Sequence, residues 1–201
     1  MVRPPTALRQ PAVRARYMQT FARHIDRLPE EDRAAIRRAV PEETWASIES
    51  AGLLGWLPLE TNLACTRAVA LRLGPERTNR FFRELLLAAI ETPLLRGFVQ
   101  GVFRVAAPDA GQYLPWLARG FELMFRNAGK WTVLERSPGW ALLELGALPR
   151  EIVTDSIWIK ATASSLCGLL DLLSLEGTVV VHEVDAKSGT VTYACRWTKK
   201  G

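Results

Sequence analysis

The sequence is poor in the residues that build metal centres and disulfide frameworks. It has three widely separated cysteines, Cys65, Cys167 and Cys195, and two histidines, His24 and His182. They form no C-x-x-C, H-x-x-x-H or H-E-x-x-H arrangement, so no metal site is expected, and the dispersed thiols suit a reducing, cytoplasmic setting. A G-x-S-x-G elbow is also lacking. His182 and Glu183 are no dyad, because neighbours on a strand point to opposite faces. Long apolar runs are missing too: no charge-free stretch exceeds ten residues, where a membrane-spanning helix needs about twenty. Met1 to Gln10 holds two arginines, two prolines and no apolar stretch, and is not read as a secretory signal.

What is there suits a folded domain. Of 201 residues, 48% are hydrophobic and 23% charged, a globular balance. The net charge of +5 belongs to the first 40 residues, where nine arginines face four acids; the other 161 residues hold 17 basic and 17 acidic side chains. The excess is therefore not a basic face spread over the fold, and nucleic-acid binding is not expected. Residues 1–12, with Pro4, Pro5 and Pro11, read as a flexible basic arm, and 13–201 as one domain.

Apolar spacing predicts helices through most of 13–128. Val13, Tyr17, Phe21, Ile25 and Leu28 form one stripe. Pro29 with Glu30, Glu31 and Asp32, and Pro41 with Glu42 and Glu43, mark helix starts with acids at the positive dipole end. Pro58 opens a further helix, Gly74-Pro75 stops and restarts it, and Thr92-Pro93 ends or kinks the next. Another helix is expected from about Pro115 to Asn127. From Gly129 the period becomes two: Trp131 to Arg136 and Trp140 to Leu145 form a hairpin around Ser137-Pro138-Gly139, and Thr178 to Val184 and Thr190 to Trp197 a second. Between them, Glu151 to about Ser174 is helical, with small residues Ala161, Ser164, Ser165 and Gly168 suited to close approach to the sheet. The order is α+β: about six helices over 13–128, then a ββαββ unit over 129–201 with a four-stranded antiparallel sheet.

Seven tryptophans in 201 residues are the feature above background, since indoles often line pockets and interfaces. Trp116, Trp131 and Trp140 fall where helices meet sheet. The candidate ligand-binding residues are Trp56, Phe98, Phe103, Trp116, Phe121, Trp131 and Trp140, with Arg119 as an anion anchor. Glu122 and Glu144 are the isolated carboxylates an enzyme would use, and Cys65 and Cys167 read as small core residues.

The helix ending in Gly129, the hairpin of Trp131 to Leu145, the helix with Cys167-Gly168 and the terminal Tyr193-Ala194-Cys195-Arg196-Trp197 carry two resemblances. With Trp45 to Leu59, Gly74 to Gly97 and Leu166 to Trp197, the chain resembles a myxobacterial paralogous family of similar length and uncharacterised function. More distantly, it resembles the haem-nitric-oxide-binding (H-NOX) and vinyl-reductase-like sensor domains. That likeness implies a cavity between helices and sheet and a tendency to form homodimers. The family's haem hangs from a histidine on the helix before the first hairpin. Trp116 to Asn127 has none, there is no Tyr-x-Ser-x-Arg motif, and the vinyl-reductase-like cysteine pattern is missing, so neither haem nor any other cofactor is expected. The expectation is a non-catalytic cytoplasmic domain that holds a small apolar or amphipathic molecule and signals to a partner. The alternatives are an interaction module with a filled core, an enzyme using isolated carboxylates, and anionic-surface binding through the arginine arm.

Overall fold

Proline sets the start of four helices. Pro29, Pro41, Pro58 and Pro149 each stand just before a first helical residue, with φ between −51° and −54° and an extended ψ. The ring fixes φ near the helical value and supplies no N–H that would be left unpaired. A computed structural model describes the backbone of residues 10–105 and 110–199, and their side chains apart from positions 94, 102–112 and 115. Its elements are β1 (Ala12–Arg14), α1 (Ala15–Ile25), α2 (Glu30–Ala39), α3 (Glu42–Ser50), β2 (Trp56–Pro58), α4 (Leu59–Ile90), α5 (Pro93–Val105), α6 (Ala110–Met124) and β3 (Phe125–Arg126). There follow β4 (Lys130–Ser137), β5 (Trp140–Gly146), α7 (Arg150–Val153), α8 (Ser156–Leu172), β6 (Leu175–Asp185) and β7 (Thr190–Lys199). This is the α+β order expected, with an antiparallel sheet in the order β4-β5-β7-β6. Among the described residues no helix is long and apolar enough to cross a membrane.

A second antiparallel sheet, β2-β1-β3, is not anticipated by the sequence. Its strands have two or three residues, too few to show a period. Ala12, assigned to the arm, pairs with Pro58 and Arg126 and is buried; residues 1–9 of that arm lie outside the described residues. The first helix therefore begins at Ala15 and not at Val13. α6 begins at least as early as Ala110 and runs through Pro115.

α4 is bent at Gly74, whose φ of +73° is one that side-chain-bearing residues rarely adopt. Asp32 spans this bend: it accepts from Arg72 Nε before it (2.6 Å) and pairs with Arg77 beyond it. The two guanidiniums, Arg77 foremost, hold the Asp32 carboxyl below its ordinary range. The acids in the first turn of α2 thus fasten α4 as well as standing at the positive end of their own helix dipole.

The expected helix from Glu151 is broken in two. Asp155 accepts at 3.0 Å from both Ile157 N and Trp158 N and starts α8 afresh. α8 then runs parallel to α4. Arg67 donates to Asp155 (2.7 Å), Ser164 Oγ to Asn79 (2.8 Å), and Arg83 to both Asp171 oxygens (3.0 and 2.7 Å). The small-residue face lies against α4 and not, as expected, on the sheet: a Cβ on Gly168 would stand 2.6 Å from the Arg83 carbonyl oxygen. Other residues of α8 cover the sheet, where Leu143, Val191, Tyr193 and Cys195 are buried. The opposite face of the sheet, with Trp140, Leu142, Ala194 and Arg196 in register, is open.

His24 is buried on α1, with its ring 4.7 Å from Phe81 and Nε2 3.7 Å from Glu84. Burial lowers its pKa from the ordinary 6.5, and the Glu84 charge opposes that shift. Between the lowered value and 6.5 the unfolded chain binds the proton that the folded chain refuses, so stability rises with pH across that window. Thermal denaturation should therefore show stability falling as the pH drops below the ordinary histidine pKa of about 6.5, and His24→Phe should flatten that slope.

Candidate functional site

Beyond the bend, α4 presents apolar residues to two neighbours. Phe81 meets Phe21 and His24 of α1. Phe82, Leu86 and Ile90, four residues apart, form a wall of a cavity of about 140 Å³, and Phe82 also meets Phe21. α5 adds Leu95, Phe98 and Val99. α6 adds Trp116, Leu117, Gly120, Phe121 and Met124 at helical spacing, and α8 adds Trp158, Leu166, Leu169 and Leu172. β4 contributes Trp131 and β3 Phe125. The cavity thus lies mainly among helices, with α8 between it and most of the sheet, where the sequence reading places it between bundle and sheet. Trp116 is 41% exposed and meets Phe98 edge-on at 6.2 Å, placing this pair at the rim.

Inside, an aromatic array fixes the walls. Phe121 stacks on Phe125 at 4.7 Å and meets Trp131 edge-on at 6.1 Å, and Trp131 lies 5.4 Å from Tyr193. Several polar side chains are occupied locally. Asn62 accepts from Trp158 Nε1 (2.9 Å) and donates to Met18 Sδ (3.4 Å). Thr162 and Ser165 donate to carbonyls one turn back, at 3.0 and 3.1 Å. Burial raises the Tyr17 phenol pKa, so it stays neutral. Among the described residues, no lining residue is charged and none is histidine or cysteine. Of the buried side-chain atoms without a partner among the described residues, one belongs to a residue that lines the cavity: Trp131 Nε1.

Four of the sequence candidates, Phe98, Trp116, Phe121 and Trp131, line this cavity. Trp56 does not. The small sheet sets it opposite Arg14 and near Arg126, whose guanidinium carbons lie 3.7 and 4.8 Å from its ring. Trp140 does not either: it alternates with the buried Ala141 and so faces the open side of the sheet, beside Arg196. Arg119 is exposed on α6 and donates to Glu122 (3.2 Å), so it anchors no anion in the cavity. The Phe103 side chain lies outside those described. Sequence reasoning misses Trp158 and the leucines of α8 as lining residues.

Other chemistry is sparse. Glu122 is exposed and Glu144 half-buried on the open sheet face. Burial raises the thiol pKa of Cys167, and pushes those of Cys65 and Cys195 up to about 12, leaving them protonated and unreactive. No group of three or more His, Cys, Asp or Glu residues is placed to hold a metal among the described residues.

No protein-family model matches the chain, and no curated protein matches its sequence. Solved structures do match its fold. An Fe(II) unliganded H-NOX protein from K. algicida is 7% identical with a TM-score of 0.57, over 94% of this chain and 97% of that one. An oxygen-binding H-NOX domain related to soluble guanylate cyclases, in its oxygen complex, is 11% identical with a TM-score of 0.58, over 94% and 95%. A protein described in terms of haem distortion in the H-NOX family is 12% identical with a TM-score of 0.60, over 94% and 95%. The chain has an H-NOX-like fold. The expectation that it holds no cofactor does not stand against this likeness, because proteins described by their iron, bound oxygen and haem share the architecture.

Proposed function

We propose that this chain is a non-catalytic sensory domain that takes a small apolar molecule into the cavity among α4, α5, α6 and α8 and passes its occupancy to a partner. The observation that carries this reading is the cavity of about 140 Å³ with walls almost wholly of aliphatic and aromatic carbon. It favours ligand binding over an interaction module with a filled core. An unfilled space of this size costs about 3 kcal/mol at roughly 24 cal/mol per Å³. A ligand that fills it recovers much of that cost, for affinities on the order of several millimolar from this contribution. A molecule seated against Phe98 and Trp116 would fix α5 on α6 at the exposed rim, where a second copy or another protein could read the change.

The fold family's haem needs a ligand for its iron. The cavity offers the Met124 thioether and the Tyr17 and Tyr113 phenols, while His24 stands outside it between Phe81 and Glu84. The described lining residues include no cation for propionates. Its volume is close to the roughly 150 Å³ that elsewhere holds benzene, well short of a tetrapyrrole. The cavity in this form does not fit haem, and no step is derived through an iron.

The test is thermal denaturation with benzene, beside native mass spectrometry and an absorption spectrum with added haem. At ten times its dissociation constant a probe adds about 1.4 kcal/mol, raising Tm by roughly 3–6 °C. A stoichiometric Soret band on haem addition, without a shift from benzene, would overturn the small-ligand reading. Gly120→Leu supplies the control. Its Cβ would meet Phe98 Cε1 at an ordinary 3.5 Å, and the rest of the side chain would enter the cavity. Tm should rise by roughly 2–4 °C from helix propensity and filled space, and the benzene shift should vanish.

A further inference from the structure

We infer that the cavity selects a small, neutral molecule bearing one hydrogen-bond acceptor, a cyclic ketone or similar carbonyl compound, and that the indole N–H of Trp131 receives that acceptor. This rests on the ligand-binding reading above and adds the chemical class. The size follows from the volume, which admits a single ring but little more. Neutrality follows from the lining: with no charged side chain among the described lining residues, a carboxylate or ammonium would lose its hydration and gain no counter-charge.

The acceptor follows from the donors. Trp158 Nε1 is spent on Asn62, the Asn62 amide on Trp158 and Met18, and the Thr162 and Ser165 hydroxyls on their own helix. Among the described residues, Trp131 Nε1 is the buried polar atom of a lining residue that is left without a partner. The ring cannot readily swing out to find one. Trp131 is only 6% exposed, is held in register opposite Leu145, and packs against Phe121 and Tyr193. A buried donor left unmade is costly, and a ligand oxygen removes that cost on binding, where a hydrocarbon of the same shape leaves it in place.

Cyclohexanone and methylenecyclohexane, which differ by O for CH2, make the test, with cyclohexanecarboxylate as the charged probe. Trp131→Phe should weaken cyclohexanone by roughly three- to tenfold and leave methylenecyclohexane within about twofold. In the unsubstituted protein, the Trp131 indole proton resonance should move downfield with the ketone and not with the alkene. This second reading keeps the test decisive if the variant does not fold. If neither neutral probe binds, the ligand-binding reading itself fails. If both bind and the indole proton responds alike to both, that reading stands and this inference is overturned. Tighter binding of the carboxylate than of the ketone overturns it as well.

Discussion

Phe21→Ala should lower the free energy of unfolding by about 3–5 kcal/mol, the loss typical of a buried aromatic truncated where neighbours cannot close the gap. Phe21 is 0% exposed, and its ring meets Phe81 at 5.5 Å and Phe82 at 5.9 Å. Those two phenylalanines stand just beyond the Gly74 bend, on the half of α4 that Asp32 ties back through Arg77. Their backbone is held from several sides, so little collapse into the space is possible. Urea denaturation should show a lower midpoint at an unchanged slope, and Tm should fall by roughly 6–20 °C for a chain of this size. Phe82 is also a wall of the cavity. Removing the ring behind it should therefore loosen benzene binding in whatever fraction stays folded, whereas Phe21→Leu should restore most of both.

Features set by local backbone chemistry were legible in the sequence. The prolines before α2, α3 and α4, the Gly74-Pro75 break and the hairpin turns each act within a few residues, and each stands where expected. Features set by distant partners were not legible. The β2-β1-β3 sheet joins residues near positions 13, 57 and 125, so no window of sequence contains it. The small face of α8 announces close approach to something, but only Arg83 and Asn79 identify α4 as that neighbour. The same division runs through the site. Trp131 and Phe121 stand at the helix-to-sheet junction and reach the cavity. Trp140, a turn residue away from that strand, is carried to the opposite face by strand alternation, and Trp56 is drawn off by two guanidiniums. A missing motif also says less about a cofactor than a present one would. The lack of histidine over 116–127 left the H-NOX-like fold intact, so cofactor questions fall to the cavity's atoms and to titration with haem.

Asp155 joins these levels, and Asp155→Ala should cost about 2–4 kcal/mol. Its carboxylate is 3% exposed and takes three hydrogen bonds: two from the first N–H groups of α8, at 3.0 Å, and one from Arg67 at 2.7 Å. Losing the cap alone costs about 0.5–2 kcal/mol. The remainder comes from the charge-assisted bond to Arg67 and from the buried N–H groups left unpaired. Two variants separate these contributions. Asp155→Asn keeps a cap acceptor and should lose about half as much, whereas Arg67→Ala removes a half-exposed partner and should cost under about 1 kcal/mol. The functional consequence follows from position. Trp158 N is one of the capped donors, and the Trp158 ring both lines the cavity and donates to Asn62 of α4. A first turn of α8 that frays would move that wall. Asp155→Ala should therefore weaken cyclohexanone and methylenecyclohexane alike, at temperatures where circular dichroism shows the chain still folded. Equal affinities in the variant and the unsubstituted protein would mean that the cavity wall does not depend on this cap.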